Sequence, residues 1–184
     1  MKPRVSAGIL AFRLTPKGPE FLLVHPGGPF FAKKNLGHWG IPKGEVDEGE
    51  TDFEQTARRE FEEEVGFPVP DAELIPLGSV RQKTGKIVHA WAVAADLDTT
   101  KMHSNLITMP WPPLGKRRQW PEVDRHVYFG REDARRHIKE TQLPLLDRLE
   151  AVLAERGLAV GWAPASPAAS PAASPARPET ESGE

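Results

Sequence analysis

Residues 44–67 read GEVDEGETDFEQTARREFEEEVGF, an acidic loop followed by the pattern of a glutamate-rich helix. Glu60, Glu63 and Glu64 are spaced i, i+3 and i+4, so at about 100° per residue they share one face of that helix. Like charges at this spacing repel each other by roughly a few tenths of a kcal/mol per pair. Clustered carboxylate oxygens suit Mg²⁺ or Mn²⁺ as ligands. The pattern therefore favours a divalent-cation site, and a solvated acidic helix face is the alternative.

The composition predicts a soluble, cytoplasmic protein. The chain has 184 residues, 39% hydrophobic and 27% charged, which fits one globular domain and a disordered segment. Its net charge of −2 provides no overall basic field, so we expect neither nucleic acid nor membrane as a partner. The absence of cysteine excludes disulfides and thiolate zinc sites. The apolar run in MKPRVSAGILAFR is too short for a membrane span and lacks a cleavage pattern.

The first part of the chain predicts a β-hairpin and a glycine- and proline-rich loop. Val5–Arg13 and Glu20–His25 have strand patterns and are separated by the turn residues Thr15–Pro19. The loop 26–37 is either a surface loop with its aromatic rings in the core, or the border of a pocket with its lysines near phosphates. The residues concerned are Phe30, Phe31, Lys33 and Lys34.

The second part of the chain predicts further strands followed by helices. Residues 98–119 have no convincing period and contain several prolines, so we expect a long loop with a covering or functional role. The expected strands are Glu73–Gln82, Ile87–Leu97 and Arg125–Phe129, the first two forming a hairpin, and the expected helices are Arg131–Ile138 and Leu143–Arg156.

The last part of the chain differs in composition from the rest. The composition changes at about Trp162, and from Ser166 the chain repeats SPAASPAASPA, where a proline at every fourth residue is incompatible with a helix. No large apolar side chain follows that could be buried. We therefore predict a domain over residues 1–161 and a disordered Ser/Pro/Ala-rich tail over residues 162–184.

The stretch that starts at Gly44 resembles the Nudix box, which is Gly, five residues, Glu, seven residues, then Arg-Glu-apolar-x-Glu-Glu-x-Gly-apolar. Gly44 and Glu50 match its first half. The second half matches at every specified position: Arg59, Glu60, Phe61, Glu63, Glu64, Gly66 and Phe67. The departure lies between the halves, where residues 51–58 provide eight residues instead of seven.

The additional residue raises the question of how the helix begins. Thr51 and Glu54 have the spacing of a capping box, so we expect Thr51 as the N-cap. On a regular helix Phe53 would fall on the carboxylate face, whereas a one-residue bulge near residues 56–58 would return it to the face of Phe61. We therefore predict a π-bulge or an irregular first turn before Arg59.

The resemblance implies a fold and an activity. The fold is α/β, a Nudix-type α/β/α sandwich with a mixed, curved sheet, the box helix on one face and the C-terminal helices on the other. The activity is metal-dependent hydrolysis of a phosphoanhydride bond in a nucleoside diphosphate-linked substrate. Dinucleoside polyphosphates and nucleoside triphosphates are favoured. The alternatives are a nucleotide sugar, a damaged nucleotide, an RNA 5′ end, or nucleotide sensing without turnover. The sequence carries no signal for an oligomeric state.

The resemblance also implies roles for the box residues. Glu60 and Glu64 would bind Mg²⁺ or Mn²⁺, and Glu63 would bind a further metal or accept a proton from the attacking water. Arg59 would hold a glutamate in place, with Glu50 as the matched candidate. A further metal ligand would be the backbone carbonyl of Lys43.

Candidates outside the box carry weaker signals. Glu122 resembles the glutamate that precedes an aromatic residue in dinucleoside tetraphosphate hydrolases, so we expect it as a further metal ligand, with Asp124 or a surface salt bridge as alternatives. The candidate substrate contacts are Lys86, Arg117, Arg118 and Tyr128. A solvated basic loop beside an acidic site would explain the arginines equally well.

Overall fold

A computed structural model, which describes residues 4–158, contains a sheet organised around β1 (Val5–Thr15). β1 pairs in parallel with β5 (Ile87–Ala94) along one side. On its other side, the second half of β1 pairs antiparallel with β2 (Gly18–Pro26), and the first half pairs antiparallel with the short β3 (Lys43–Glu45). This change of partner places the acidic segment, which follows β3, beside the centre of the sheet.

The main sheet is mixed and open. β4 (Ile75–Arg81) pairs antiparallel with β5, and β8 (Val123–Gly130) pairs antiparallel with β2, which gives the order β4-β5-β1-β2-β8 with β3 beside β1. Both predicted hairpins, β1–β2 and β4–β5, are confirmed. The predicted tail at 162–184 lies outside the described residues, as do residues 159–161.

Helices cover both faces of the sheet. Ala7 and Ile9 of β1 pack on the side of α1 (Phe53–Val65), whereas Leu10 and Phe12 pack on the opposite side. Alternate residues of a strand point to opposite faces, so one strand serves two cores. The second face is covered by α2 (Arg131–His137) and α3 (Leu143–Glu155). The predicted α/β/α sandwich is thereby confirmed. Within residues 4–158, no helix has both the length and the apolar character needed to cross a bilayer.

The start of α1 differs from the prediction. Asp52, not Thr51, is the N-cap, and its carboxylate accepts a hydrogen bond from the backbone N–H of Gln55. From Phe53 onward the helix is a continuous α-helix, so the predicted bulge is wrong. The additional residue of the box is accommodated in the loop before the helix. Phe53 lies about 10 Å along the axis from Glu60, and its ring packs against His89 with centroids 4.8 Å apart, so it does not compete with the carboxylates.

Residues 98–119 are not a structureless loop. A 3₁₀ turn at Thr99–Lys101 is followed by a separate hairpin of β6 (Leu106–Pro110) and β7 (Arg117–Pro121). Prolines end both strands, where they do not interrupt the ladder. The sequence signal was weak because no residue of this hairpin is fully buried, so a clear apolar alternation is missing.

Replacing Leu149 by alanine should lower the free energy of unfolding by about 2–5 kcal/mol, because the side chain is fully buried between α3 and the sheet. Urea denaturation followed by circular dichroism measures this change. Leu14→Ala is the control, since Leu14 is 48% exposed at the end of β1 and should change stability by less than about 0.5 kcal/mol. Equal losses in the two variants would contradict the packing of α3 as a second layer.

Candidate functional site

An open cleft between β3 and α1 brings together the carboxylates predicted to bind metal. Glu60, Glu63 and Glu64 line it, and so does Glu122 from the short connection between β7 and β8. Lys43, the first residue of β3, contributes to the same wall. All five predicted metal-site residues therefore lie around one cleft.

Glu60 and Glu64 are nearly buried although they are acidic. Their relative exposures are 8% and 5%, and the carboxylate of Glu64 accepts a hydrogen bond from the backbone N–H of Lys43 at 3.0 Å. Burial raises the pKa of Glu64 to about 7 and also raises the pKa of Glu60. The nearby carboxylate of Glu122 raises both pKa values further. The two buried carboxylates therefore lie where a cation would stabilise their charged forms.

Arg59 pairs with its neighbours on the helix and not with Glu50. Its Nη1 lies 2.7 Å from Oε1 of Glu60 and 3.2 Å from Oε1 of Glu63. Glu50 instead accepts the backbone N–H of Asp47 at 3.3 Å, which closes the acidic loop on itself. The predicted Arg59–Glu50 pair is replaced by contacts to the adjacent Glu60, to Glu63 one helical turn away and, at 3.8 Å, to Asp47 of the acidic loop.

Gly44 allows the chain to pass directly over Glu60. A Cβ added at Gly44 would overlap the Glu60 carboxylate. A side chain at this position would therefore displace one of the two buried acids. The lack of space beside Glu60 thus explains why a glycine, which has no side chain, suits this position of the box.

Glu122 reaches the cleft through backbone hydrogen bonds to the end of α1. The N–H of Asn105 donates to the carbonyl of Glu63 at 3.0 Å, and the carbonyl of Asn105 accepts from the N–H of Glu122 at 2.9 Å. The hydroxyl of Ser104 accepts from the N–H of Val123 at 2.9 Å and lies 3.0 Å from the carbonyl of the same residue. The segment 104–105 therefore fixes Glu122 relative to the box helix.

The donor set of the cleft fits a hard divalent cation. Within residues 4–158, no three acidic or histidine side chains converge as a complete set of cation ligands. Glu60 and Glu64 offer two carboxylates one turn apart, and Mg²⁺ commonly combines one or two protein carboxylates with phosphate oxygens and water. The residues present are thus suited to a cation that shares its shell with a phosphorylated ligand.

An apolar cavity of about 220 Å³ adjoins the cleft and shares Lys43, Glu64 and Glu122 with it. Phe30 and Phe31 of the loop 26–37 form part of its wall. The loop therefore borders a pocket, as the second interpretation predicted, but its lysines, Lys33 and Lys34, line neither this cavity nor the cleft. The hairpin contributes Ile107 and Met109 from β6.

Lys139 is a site residue that the sequence did not reveal. It follows α2 and lines the apolar cavity together with Glu64 and Lys43. Burial, and then the charge of Lys43, lower the pKa of Lys139 to about 8. No motif marked this position, because Lys139 stands alone between Ile138 and the next turn, far from the box in sequence.

Only Lys86 among the four predicted substrate contacts lies at the site. It lines the acidic cleft, with Nζ 2.8 Å from Oε1 of Glu45. Among the described residues, Arg117, Arg118 and Tyr128 line neither the cleft nor the apolar cavity. The arginines are exposed on β7.

Tyr128 and Asp124 are engaged in structural contacts. The hydroxyl of Tyr128 donates to the carbonyl of Ala95 at 2.7 Å and accepts from the N–H of Leu97. Asp124 lies 2.6 Å from Nδ1 of the buried His25. Between the two acidic candidates before β8, Glu122 is the one at the cleft.

The sequence model of the family described as NUDIX domain matches residues 2–136. The chain belongs to the Nudix family. This confirms the resemblance given by the box and the assignment to the Nudix hydrolases, which generally use divalent cations. Among curated proteins, none matches the chain significantly.

Several solved structures share the fold. The NUDIX domain of Shewanella oneidensis NrtR, complexed with ADP ribose, has a TM-score of 0.60 at 17% identity and covers 83% of this chain and 90% of its own. A binary complex of the C. elegans Ap4A hydrolase has a TM-score of 0.60 at 24% identity, and the match covers 82% of this chain and 98% of the hydrolase chain. A mutT/nudix family protein from Listeria innocua has a TM-score of 0.57 at 19% identity, and the match covers 86% of this chain and 99% of the Listeria chain.

The raised pKa of Glu64 gives a pH-dependent stability in metal-free buffer. The folded pKa of about 7 exceeds the ordinary 4.5, so the folded state binds the proton more tightly than the unfolded state. This stabilisation is fully present below about pH 4.5 and is lost as the pH rises through about 7, at about 1.4 kcal/mol per unit of pKa difference. Glu64→Gln should remove this loss, as measured by denaturation in EDTA at about pH 5 and about pH 8.

Glu62→Gln is the matched control, because Glu62 is exposed on the same helix and should keep the wild-type dependence on pH. The same change of stability with pH in wild type and Glu64→Gln would contradict the burial of an ionisable carboxylate at this position.

Proposed function

We propose that this Nudix protein hydrolyses a phosphoanhydride bond of a nucleoside diphosphate-linked substrate with Mg²⁺ or Mn²⁺, with dinucleoside polyphosphates or nucleoside triphosphates as the favoured substrates. The observation that carries the proposal is the junction of two surfaces. A cleft of carboxylates opens at Glu64, Lys43 and Glu122 into an apolar cavity. A nucleotide needs these two environments side by side.

The carboxylates of the cleft supply the cation site. Glu60 and Glu64 would hold the cation, and Glu122 and the carbonyl of Lys43 would provide further oxygen ligands. When bound, the cation neutralises charge on the phosphate oxygens and lowers the pKa of a coordinated water. Glu63, whose side chain is 35% exposed, remains accessible to accept a proton from the water or to bind a further metal.

Arg59 acts as a positioning residue in this proposal. Its guanidinium contacts both Glu60 and Glu63 and thereby fixes the two carboxylates relative to each other. Lys86, at the rim of the same cleft, is the candidate for a contact with a phosphate oxygen.

The apolar cavity suits the nucleobase. Its volume of about 220 Å³ is below the range of about 300–1,000 Å³ usual for complete drug-sized ligands, so it fits a ring system and not a whole nucleotide. Two phenylalanines and a methionine are well suited to contact a planar ring. The likeness to an Ap4A hydrolase and to a domain complexed with ADP ribose supports a nucleotide ligand.

A hydrolysis assay tests the proposal. We expect wild type to release products from at least one of Ap4A, ATP and ADP-ribose in the presence of Mg²⁺ or Mn²⁺. Glu64→Gln should lower kcat on the order of 10²-fold, because it removes a charged cation ligand. Glu62→Gln should keep full activity, and so should a chain that ends at residue 161, since the proposal assigns the activity to residues 1–161.

Absence of turnover with every substrate, together with tight nucleotide binding, would favour the alternative of a nucleotide-sensing module. Full activity of Glu64→Gln would contradict the placement of the cation. Turnover of a nucleotide sugar, a damaged nucleotide or a capped RNA, but not of Ap4A or ATP, would keep the chemistry and replace the substrate.

A pair of glycine variants tests the geometry of the cleft. Gly44→Ala should lower kcat at least about 10-fold, since the added Cβ displaces the Glu60 carboxylate and a small misplacement of a catalytic group is costly. Gly130→Ala is the matched control, because a Cβ there meets no atom within 4 Å and its φ of −62° suits any residue. Equal activities of the two variants would show that Glu60 tolerates displacement.

A further inference from the structure

Lys139 presents a partly buried positive charge that has no charged partner among the described residues. Its backbone is fixed, since its N–H donates to the carbonyl of Trp39 at 2.8 Å and its carbonyl accepts from the N–H of Gln142 at 2.8 Å. Within residues 4–158, its ammonium group forms neither an ion pair nor a hydrogen bond. A positive charge that lies in a cavity wall, partly shielded from water and without a partner, is suited to an anionic ligand.

A second lysine lies at the same place. Lys43 lines both the cleft and the cavity, and Lys139 shares the cavity wall with it. The ammonium of Lys43 likewise has no ion pair among the described residues. Two like charges are therefore held together where the acidic cleft joins the apolar cavity.

We propose that Lys139 and Lys43 form an anion subsite for a phosphoryl group that lies between the nucleobase and the cation-bound phosphates. A cation held by Glu60 and Glu64 occupies the cleft side of this junction, and the base occupies the apolar side. The group that crosses the junction contacts both lysines and must be anionic to offset their charge.

The position of the subsite selects a substrate class, and this step rests on the proposed function. A diphosphate-linked nucleotide has only the two phosphoryl groups that flank the bond to be cleaved, and both belong at the cation. A nucleoside tri- or tetraphosphate chain has at least one more phosphoryl group. Lys139 therefore favours polyphosphates over substrates such as ADP-ribose.

Binding of inorganic tripolyphosphate in EDTA tests the subsite without hydrolysis and without a cation. Calorimetry should show at least about 10-fold weaker binding to Lys139→Met than to wild type, which corresponds to about 1.4 kcal/mol. Methionine keeps the unbranched shape and most of the length of the side chain and removes the charge, so the fold should be retained, as a denaturation curve would verify. Lys17→Met is the matched control, because Lys17 is exposed in the β1–β2 turn and should bind as wild type does.

Kinetics distinguish the subsite from a merely structural role. Lys139→Met should raise KM for ATP or Ap4A at least about 10-fold with little change in kcat, and should affect ADP-ribose less. Lys139→Arg, which keeps the charge, should recover part of the affinity. Unchanged binding of tripolyphosphate to Lys139→Met would overturn the proposal, and so would equal effects on ADP-ribose and ATP.

The outcomes separate this inference from the proposed function. Binding of tripolyphosphate that depends on Lys139, in a protein that hydrolyses no nucleotide, would retain the subsite and reject the hydrolase. Hydrolysis of nucleotides that proceeds equally well in wild type and Lys139→Met would support the proposed hydrolase and reject the subsite.

Discussion

The arrangement of the site depends on the close contact between β3 and α1. Gly44 passes over the carboxylate of Glu60, and the backbone N–H of Lys43 donates to the carboxylate of Glu64. Two acids are thereby held with little exposed surface, which is unfavourable for their charged forms. The apolar packing of Phe61 and neighbouring residues of α1 against the sheet offsets that cost. The unfavourable burial of the two carboxylates is thus tolerated because the same helix packs its apolar face against the sheet.

The C-terminal end of α1 connects this layer to the rest of the site. His126 of β8 donates from Nε2 to the carbonyl of Glu64 at 2.6 Å, and Asn105 joins the carbonyl of Glu63 to the backbone of Glu122. Carbonyls at the end of a helix lack partners within it, so they are available for such contacts. The same helix end therefore positions acids on α1 and an acid from a distant loop. The hairpin that follows Asn105 then forms one wall of the apolar cavity.

The prediction errors have different physical origins. The spacing of Thr51 and Glu54 predicts Thr51 as the N-cap, but Asp52 also has an N-capping side chain and accepts the N–H of Gln55. The bulge before Arg59 assumes that the helix contains the extra residue of the box, whereas a loop accommodates an insertion at lower cost. The chemical types of Arg117, Arg118 and Tyr128 suit a substrate contact, but the direction of a side chain from its strand determines which groups it contacts, and these three line neither the cleft nor the apolar cavity. Tyr128 points to the chain after β5, where it binds backbone groups.

The sequence by itself determined the long strands of the main sheet, the helices, the two layers and the shared face of Glu60, Glu63 and Glu64, but not the β6–β7 hairpin. These features follow from periodicity and covalent spacing, which act over a few residues. Only the tertiary structure decided that Glu60 and Glu64 are buried, that Glu122 joins them, and that Lys139 faces the same junction as Lys43. Burial and charge proximity depend on contacts between distant segments, and no local pattern encodes the distance between Lys139 and Glu64.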